Sequence, residues 1–546
     1  MLGAGYIVEN KFNRDTKDSF KINDGVLKKI LQKNANSQIG REYNFNLIKT
    51  VEEFKREFPL TEYKFYEEYI ERMCQGEENV LVSEKIEYFG HTSGTTGKQK
   101  LIPVTKTSRQ VASKYMAFLI NKFAYNKFKS KWNYGKGLLI SDIVMTTYTE
   151  GGVPICSATS GGMKSIKPLL SYLYTSPIEV MEIKDKEVAL YLHLLFALEE
   201  RNLLYISGVF ISNILDLFRT LEKNYELLIR DIRKGSINRK FNIDEEKRKK
   251  IKGYIEPNPR VADELEQEFK KGFKGIAKRI WPRLAYIATV TGANFSIYDN
   301  KVKYYTGDLD IYSPVYAATE ATIGINPYIN KIKYVIIPDT VFYEFIPIDN
   351  IECENPDTLN INQLNIGDIY EIVVTNYSGL YRYMIGDVVR VVDFYNNSPC
   401  IEFLYRKNQV LNMVSEKTTE SHLTNAIRNS IYKLNIDVVD YTTIPDNSIT
   451  PGRYVFYMEL HRNMGVKIQE FEETLDKELR IANLAYDRAR CNRKLAQLKI
   501  RLLKYDTFNN IKDLLFKKGV SKNQIKIPRV AINNKIIVKV LKDNII

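Results

Sequence analysis

The chain has few histidines and cysteines, and it lacks any long hydrophobic run. Four histidines in 546 residues argue against chemistry built on a histidine cluster. The cysteines show no CxxC spacing, which argues against structural zinc and favours a reducing compartment. No apolar run reaches the roughly 18 residues of a membrane span, and the N-terminus does not resemble a signal peptide. We therefore expect a cytoplasmic protein with no membrane segment. The cysteines are Cys74, Cys156, Cys353, Cys400 and Cys491.

The sequence also lacks an internal repeat and a low-complexity segment. Its net charge is +14, but the 80 lysines and arginines are spread along the whole chain. Such a distribution favours anionic small-molecule ligands over a nucleic-acid partner. A hydrophobic content of 44% with 27% charged residues is typical of a globular protein with a sizeable core. At ~150 residues per domain, the length allows about three domains, or one large domain and a small one.

Residues 92–100, Thr-Ser-Gly-Thr-Thr-Gly-Lys-Gln-Lys, combine hydroxyls, glycines and lysines in one short stretch. The glycines allow successive N–H groups to converge on an anion, and the hydroxyls and lysines add donors and positive charge. The stretch is not a Walker A motif, because Thr92 replaces the first glycine and Gln99 replaces Ser or Thr. A strand over 101–104 follows, so we predict a phosphate loop between two strands, with a polar surface turn as the alternative. The candidate phosphate contacts are Ser93, Gly94, Thr95, Thr96 and Gly97.

A second motif, Tyr316-Ala-Ala-Thr319-Glu320, directly follows an apolar strand. A carboxylate at a strand end can hold a hard cation such as Mg²⁺ through oxygen, while the neighbouring hydroxyl reaches a phosphate. Taken alone the motif is weak, because strands also end in Thr-Glu by chance. We therefore treat Glu320 as a candidate metal ligand and Thr319 as a candidate phosphate contact.

A third motif contains Gly386-Asp387 between two apolar runs. Such a dipeptide is usually a turn, but an ionised Asp387 can also bind the vicinal hydroxyls of a ribose. Arg406 ends a later apolar run and can reach the same ribose. Lys417 lies in the charged run 415–420, which is either a solvated surface or the source of a lysine for an α-phosphate.

The apolar patterns predict an α/β fold. Short buried runs between 284 and 392 indicate strands, and helices are mixed with them over about 400 residues. A smaller α+β unit begins near 398, with strands over 454–460 and 498–503. We therefore expect an open α/β domain over residues 1–405 and an α+β domain over residues 406–546.

Several local predictions accompany this organisation. Thr105 or Thr107 is expected to cap a helix. The Gly/Ser/Thr-rich passage 151–162 is interpreted as a loop that either lines a substrate pocket or links two elements. Single helices are predicted over 261–279 and 466–492. The apolar face of the capped helix is predicted to contain Ala112, Met116, Leu119 and Phe123.

Together, these motifs resemble the Gretchen Hagen family of acyl acid amido synthetases, also called the auxin-responsive promoter family, within the adenylate-forming superfamily. The likeness is carried by the Lys-Leu-Ile-Pro ending of the phosphate loop, the pentad 316–320 and the runs 380–389 and 415–423, in the same order and spacing. It continues to the segment 523–529, Asn-Gln-Ile-Lys-Ile-Pro-Arg. Plant members usually have Ser-Ser-Gly-Thr-Ser where this chain has Thr-Ser-Gly-Thr-Thr.

The resemblance implies an enzyme that adenylates a carboxylic acid with ATP and Mg²⁺, releases pyrophosphate and passes the acyl group to an amine, typically of an amino acid. It also implies a small C-terminal domain that rotates between the half-reactions about a hinge near Lys407. In the family's pattern, Lys100 holds phosphate with the loop hydroxyls, Glu320 holds Mg²⁺, and Lys417 approaches the α-phosphate. The other implied cofactor-binding residues are Thr291 and Gly292, Tyr316 at the adenine, Thr319 at the α-phosphate, and Asp387 with Arg406 at the ribose.

Two other functions are alternatives: a carboxylate–CoA ligase with the same adenylation half, and a catalytically silent nucleotide-binding relative. The intact residues Lys100, Glu320, Asp387 and Lys417 argue against the silent relative. No CoA-specific signature is present, and the Lys-Leu-Ile-Pro and Glu-Lys-Thr sequences match the amide-forming branch. We expect small carboxylic acid and amine substrates, no nucleic-acid or membrane partner, and a monomer.

Overall fold

The computed structural model describes residues 2–91, 100–141, 143, 145–164, 166–291, 298–407, 410–414, 416–461, 465, 467–517, 525–531 and 534–546. The strands within these ranges are β1 Ile86–His91, β2 Leu101–Thr105, β3 Gly137–Ile140, β4 Met145–Tyr148, β5 Pro154–Cys156, β6 Tyr205–Phe210, β7 Tyr286–Val290, β8 Asp310–Tyr312, β9 Val315–Ala317, β10 Thr322–Ile325, β11 Tyr334–Ile336, β12 Phe342–Pro347, β13 Ile369–Thr375, β14 Tyr383–Tyr395, β15 Ser398–Arg406, β16 Val438–Asp446, β17 Arg453–Leu460 and β18 Lys499–Leu503.

The α-helices are α1 Leu2–Asp15, α2 Ser19–Asn34, α3 Gln38–Glu42, α4 Val51–Glu57, α5 Tyr63–Cys74, α6 Lys106–Lys114, α7 Ile120–Phe128, α8 Ala158–Lys164, α9 Leu170–Leu173, α10 Ile178–Met181, α11 Lys186–Glu199, α12 Ile211–Lys234, α13 Glu245–Lys252, α14 Pro259–Lys270, α15 Ile276–Ile280, α16 Asp299–Thr306, α17 Glu420–Leu434, α18 Ile468–Ala482, α19 Leu484–Cys491, α20 Thr507–Lys517 and α21 Lys535–Asp543. Among the helices described, none is both long and apolar enough to cross a membrane. All five cysteines carry free thiols.

The largest sheet has seven strands in the order β12-β13-β14-β15-β11-β10-β9, and neighbouring strands are antiparallel. Strand β13, Ile-Tyr-Glu-Ile-Val-Val-Thr, is buried on both faces, and only its first residue is partly exposed. Helices α2, α4 and α5 pack against the sheet through a core that includes Ile30, Phe54 and Tyr66. The sheet therefore gives firm support to side chains at the ends of its strands.

A second sheet is parallel, with the order β3-β6-β7-β8. Helices α11 and α12 share one buried core with it, as Leu194, Phe218 and Ile206 show. Helix α12 ends at Gly235, whose φ is +58°. A Cβ at this position would lie 2.5 Å from the backbone nitrogen of Pro257. The left-handed conformation and the close approach therefore both require glycine.

The chain after residue 410 forms a smaller unit with its own core. Strands β16, β17 and β18 form a three-stranded sheet. Successive residues of β17 lie on opposite faces of this sheet. Phe456 packs with α17, α18 and α19, and Tyr457 packs with α20 and α21. The core of this unit begins at Leu411, whereas the cores of the larger body end at Ile401. The chain thus passes once from a large N-terminal body to a small C-terminal body.

Polar side-chain contacts join the two bodies. Lys301 of α16 places its Nζ 2.6 Å from the Asp437 carboxylate. Arg219 of α12 has an Nη2 atom 3.0 Å from Nε2 of His461. These side chains are partly exposed, and such pairs contribute little stability each. Each of these two pairs therefore contributes little to holding the bodies together.

A π-helical turn over Tyr115–Leu119 interrupts the helix that was predicted after the phosphate loop. Thr105 caps α6 as one of the two predicted caps, and its hydroxyl accepts a hydrogen bond from the N–H of Ser108 at 3.1 Å. The wider turn changes which side chains face the core, so Met116 is 41% exposed while Leu119 is buried. The prediction that Met116 belongs to the apolar face was wrong.

Three predicted segments are divided in the structure. The passage 151–162 is not a single loop, because it contains β5 and the beginning of α8. The helix predicted over 261–279 is two helices, separated where Gly275 adopts a φ of +65°. The helix predicted over 466–492 is divided at Asn483, whose side chain accepts hydrogen bonds from the first turn of α19. In the two helical cases, a local turn or capping residue overrides a continuous apolar pattern.

Candidate active site

The predicted phosphate loop connects the paired ends of β1 and β2. These strands are antiparallel, and His91 pairs with Leu101 across the hairpin. Lys100, which follows the loop, has its Nζ 5.2 Å from the ring centroid of Tyr63. The Tyr63 hydroxyl accepts a hydrogen bond from the Leu101 N–H at 2.9 Å, so α5 holds the end of the loop. Outside the described residues lie Ser93, Gly94, Thr95, Thr96 and Gly97.

The end of β1, just before the loop, lies against Thr319. A Cβ on Gly90, the next-to-last residue of β1, would come 2.7 Å from Cγ2 of Thr319. The β1 backbone therefore touches this side chain directly. Asn376 fixes the segment from the other side, because its Nδ2 donates to the Glu320 carbonyl oxygen at 2.8 Å. A loop that follows β1 consequently has Thr319 and Glu320 at its base.

Asp387 is held between Arg406 and Tyr316. Strands β14 and β15 pair with Asp387 opposite Arg406, and Arg406 Nε donates to Asp387 Oδ1 at 2.6 Å. The Tyr316 hydroxyl donates to the other oxygen, Oδ2, at 2.7 Å. The Asp387 side chain is 3% exposed and that of Arg406 is 42% exposed. The structure thus brings together three predicted site residues, and the guanidinium is the group open to a ligand.

Gly386 and Asp387 do not form a turn. They lie within β14, where Gly386 has a φ of +82° and the pairing with β15 shifts register after Val388. Side chains other than glycine rarely adopt this φ, so Gly386 allows the strand to bend beside the carboxylate. The alternative of a turn at Gly386-Asp387 is therefore excluded, and the bend belongs to a continuous strand.

Lys100, Tyr316, Glu320, Asp387 and Arg406 form one electrostatically coupled group, which we call the Asp387 cluster. Burial raises the pKa of the Glu320 carboxyl, and the Asp387 charge adds to this rise. The positive charges of Arg406 and Lys100 oppose it. The Asp387 charge raises the pKa of Arg406. Burial, helped by Asp387, raises the pKa of Tyr316 well above its usual value. Arg406 therefore stays charged and Tyr316 stays neutral at pH 7.

Glu320 in this cluster fits a single-carboxylate Mg²⁺ site. A divalent cation beside it would offset the burial that disfavours the ionised carboxyl. Among the described residues, no group of three or more His, Cys, Asp or Glu side chains could hold a metal. An ion at Glu320 would therefore take its remaining oxygens from water and from substrate phosphates, as Mg²⁺ commonly does in nucleotide sites.

Thr291 lies at the end of β7, and Gly292 after it is outside the described residues. Thr291 Oγ1 donates to Asp299 Oδ1 at 3.1 Å. Burial raises the pKa of Asp299, although this hydrogen bond opposes the rise. Thr291 and Asp299 thereby join the end of β7 to the start of α16. The hydrogen bond of Thr291 is thus made to α16 and not to a residue of the Asp387 cluster.

Lys417 forms an ion pair with a residue outside the Asp387 cluster. It belongs to a tight turn whose ends, Leu411 and Thr418, exchange backbone hydrogen bonds of 2.9 and 2.7 Å. Its Nζ is 3.8 Å from Glu352 Oε1, and 57% of its side chain is exposed. Among the described residues, the ion pair of Lys417 is thus with Glu352 and not with a member of the Asp387 cluster. The neighbouring Glu416 is buried and accepts hydrogen bonds from two backbone N–H groups of the turn.

A buried ion pair supports the site and was not anticipated from the sequence. Arg382 Nε donates to both Glu344 oxygens at 3.1 Å, and Arg382 Nη1 donates to the Phe58 carbonyl at 2.7 Å. The two side chains are 7% and 1% exposed. The pair joins β12 to the residue that precedes β14, the strand of Asp387. A signal was available, because an ionisable residue in the apolar strand Phe-Tyr-Glu-Phe-Ile indicates a buried partner.

Arg529, at the end of the 523–529 segment, is a second buried cation. Its guanidinium lies 4.4 Å from the Tyr441 ring centroid and pairs with Asp440. Arg529 Nη2 also donates to the Tyr298 hydroxyl at 3.4 Å. Tyr298 directly precedes α16, so this arginine links the small body to the large one. The segment therefore has a structural role at the boundary between the bodies.

The fold is shared with adenylate-forming ligases. The structure of 2-hydroxyisobutyryl-CoA ligase in complex with 2-HIB-AMP has a TM-score of 0.55 at 10% identity, covering 95% of this chain and 90% of that chain. The structure of the GH3.15 acyl acid amido synthetase has a TM-score of 0.86 at 28% identity, covering 99% of this chain and 96% of that chain. The architecture is thus that of a ligase with a large N-terminal domain and a small C-terminal domain.

The chain belongs to the GH3 family. The family's N-terminal, central and C-terminal domains match residues 8–311, 334–406 and 421–535. Indole-3-acetic acid-amido synthetase GH3.6 of Arabidopsis thaliana is 30% identical, over 92% of this chain and 87% of its own. The 4-substituted benzoates-glutamate ligase GH3.12 of Arabidopsis thaliana is 30% identical, over 96% of this chain and 95% of its own. The family resemblance and the α/β fold class with its small C-terminal domain are confirmed.

Proposed function

We propose that the protein is an ATP-dependent acyl acid amido synthetase, which adenylates a carboxylic acid and then transfers the acyl group to the amine of an amino acid. The observation that carries the proposal is the Asp387 cluster, in which a paired carboxylate, a partly exposed arginine and Glu320 meet at the base of the β1–β2 loop. Family membership supports the reaction class. The cluster supports nucleotide binding at this place.

The reaction needs activation of the acid because a carboxylate is a poor acyl donor. Its oxygen attacks the α-phosphorus of ATP, the bond to pyrophosphate breaks, and the acid becomes a mixed anhydride with a good leaving group. Charge grows on the phosphate oxygens during this step, so fixed donors and cations supply most of the catalysis. When bound at Glu320, Mg²⁺ would supply further positive charge at those oxygens.

The residues of the cluster divide the work of holding ATP. Each Asp387 oxygen accepts one hydrogen bond from the protein and retains a lone pair for a ribose hydroxyl. Arg406 binds the same ribose, and the Tyr316 ring contacts the adenine. Lys100 binds the phosphates, because it directly follows the loop. Thr319 serves the α-phosphate because it lies at the loop's base.

The second half-reaction is proposed to use an amino acid or a similar amine. The relative named 4-substituted benzoates-glutamate ligase matches 96% of this chain, which supports an amino acid acceptor. A neutral amine attacks the acyl carbon, the bond to AMP breaks, and the amine loses a proton, so no histidine base is needed. A carboxylate–CoA ligase is the second candidate, and the likeness to 2-hydroxyisobutyryl-CoA ligase supports only the shared fold.

We also propose that the domains divide at residues 405 and 406, and that the small domain adopts a second arrangement in one half-reaction. The separate cores and the single chain crossing support this division. The pairing of Lys417 with Glu352, outside the Asp387 cluster, supports a second arrangement, because Lys417 is proposed to approach the α-phosphate. We further propose that the protein is a cytoplasmic monomer. The free thiols support a reducing compartment.

Pyrophosphate exchange tests the adenylation half directly. The purified protein is incubated with ATP, Mg²⁺, labelled pyrophosphate and one member of a panel of carboxylic acids. The proposal expects label to enter ATP only when a suitable acid is present. Absence of exchange with every acid of the panel would count against adenylation as the first step.

Replacing Asp387 by alanine is expected to weaken ATP binding by about 1.5–3 kcal/mol, because a charge-assisted hydrogen bond to the ribose is lost. Isothermal titration calorimetry with ATP measures the change. Asp393→Ala is the matched control, since Asp393 lies on the same strand and pairs with Lys333 at the surface. Unchanged affinity in Asp387→Ala would remove Asp387 from the ribose.

Replacing Lys417 by alanine is expected to slow adenylation more than it weakens ATP binding. A lysine that meets the α-phosphate only as charge develops stabilises the transition state rather than bound ATP. Steady-state pyrophosphate exchange separates kcat from KM for ATP. A raised KM with an unchanged kcat would contradict this role.

A further inference from the structure

A buried carboxylate lies beside the point where the chain passes between the two bodies. Glu371 is in β13, where it pairs with Val388 of β14, next to Asp387. Its side chain is 2% exposed, and its Oε2 lies 3.7 Å from Nζ of Lys407. Oε2 accepts no hydrogen bond from the described residues. A buried charged oxygen without a hydrogen bond is costly, so the nearby lysine is its compensating contact.

Lys407 is also held by the large body through its own donor. Its Nζ donates to the Ile351 carbonyl at 2.7 Å. Lys407 directly follows Arg406, which ends β15 and pairs with Asp387. The next core residue along the chain, Leu411, belongs to the small body. Any rotation of the small body must therefore change the backbone at or just after Lys407.

We propose that Glu371 is a positioning residue that, through Lys407, holds the linker and the small domain in the arrangement seen here. Loss of this contact frees the linker, so that the small domain adopts its second arrangement more readily. The inference rests on the proposed function, because it assumes that the two half-reactions use different domain arrangements. In this proposal Glu371 contacts neither the nucleotide nor the substrate. It acts on the equilibrium between the two domain arrangements.

The charge of Glu371 depends on pH near neutrality. Burial raises the pKa of Glu371 to about 6, and Lys407 opposes the rise, while Glu62 and Asp387 add to it. Tyr405 also faces this carboxylate, and its own raised pKa keeps it neutral. Glu371 is thus charged and paired with Lys407 above about pH 6, and it is neutral below that value. The hold on the linker is expected to weaken as pH falls through this range.

Glu371→Gln tests the proposal because it keeps the shape and removes the charge. The variant is expected to fold, since burial disfavours the charge that it removes. Glu402→Gln is the control, because Glu402 is a glutamate on the adjoining part of the sheet whose partner, Arg390, is 43% exposed. Lys407→Met removes the other partner and provides a second variant that leaves the buried strand unchanged.

The native cysteines offer a readout that is independent of activity. Cys353 is exposed in the large body and Cys491 is exposed in the small body. Spin labels on these two thiols report the distance between the bodies. At pH 8, Glu371→Gln and Lys407→Met are each expected to show at least three times as many molecules at a second label-to-label distance as the parent does. The parent is expected to populate this second distance to the same extent only below pH 6. Distance distributions identical to the parent in both variants would overturn the inference.

The half-reactions provide the second measurement. The rate of pyrophosphate exchange is compared with the single-turnover rate of amide formation from preformed acyl-adenylate. Glu371→Gln is expected to change the ratio of these rates by about tenfold and to remove its pH dependence near 6, while ATP affinity stays within twofold. An active parent with an unchanged ratio in both variants contradicts the inference alone. A parent protein that shows no pyrophosphate exchange contradicts the proposed function. In that case the spin-label distances still test whether the contact of Glu371 with Lys407 holds the small domain.

Discussion

Glu320→Gln is expected to slow adenylation by about 10²–10³-fold, which corresponds to about 2.7–4 kcal/mol of transition-state stabilisation. The glutamine has no negative charge to hold Mg²⁺ at the phosphates, so the charge that grows on them is poorly compensated. Glu320 is half-buried and coupled to Arg406, Asp387 and Lys100, and solvent does not replace its charge easily. Pyrophosphate exchange over a range of Mg²⁺ concentrations measures the loss.

The Mg²⁺ titration separates metal binding from a general disturbance of the site. If Glu320 holds the ion, the variant needs a higher Mg²⁺ concentration for half-maximal exchange, while its affinity for ATP without metal stays close to the parent's. Glu402→Gln serves again as the control for loss of one glutamate charge on the large body. A Glu320→Gln variant with the parent's rate and the parent's Mg²⁺ requirement would remove Glu320 from the metal site.

Glu344→Gln is expected to lower the free energy of unfolding by about 3–5 kcal/mol, because it leaves the Arg382 cation buried without its counter-charge. Both side chains are almost fully buried, and Arg382 also donates to the Phe58 carbonyl. Chemical denaturation of the variant and the parent measures the difference. A loss below 1 kcal/mol would show that the pair is not a main support of β14.

The double variant Glu344→Gln, Arg382→Met distinguishes the pair from its separate members. When both charges are removed, no uncompensated charge remains in the core, so the double variant is expected to be less destabilised than the sum of the single variants. Additive losses would contradict an interaction between Glu344 and Arg382. Because Asp387 lies on the strand that follows Arg382, the single variants are also expected to bind ATP less tightly.

The sequence indicated the pairing of Asp387 with Arg406 only because two register shifts between this pair and the hairpin turn cancel. Asn396 and Asn397 separate two apolar runs, and Asn396 adopts a φ of +54° in a tight hairpin turn. Counting eight residues back from Tyr395 and eight forward from Ser398 reaches Asp387 and Arg406, which are paired in the structure. A turn at Gly386-Asp387 stayed open as an alternative, because a glycine-bearing bend in a strand has the same local composition as a turn.

Other features could not be predicted because distant contacts determine them. The hydroxyl of Tyr316 reaches Asp387 from a strand 71 residues away in sequence, and no local pattern specifies this contact. Asn483 ends α18 because its side chain caps α19 and its Nδ2 donates to the Glu416 carbonyl at 3.0 Å. The place of Lys417 depends on how the small body sits on the large one, and local sequence does not encode that orientation.

The most direct test of the central claim is analysis of the product that the protein makes when both acceptors are present. The protein is incubated with ATP, Mg²⁺, an acid that supports pyrophosphate exchange, CoA and an equimolar mixture of amino acids. Asp387→Ala and a reaction without ATP serve as controls, and mass spectrometry identifies the products. We expect an amide whose mass is that of the acid plus an amino acid minus water. Acyl-CoA without any amide would contradict the account and favour a carboxylate–CoA ligase.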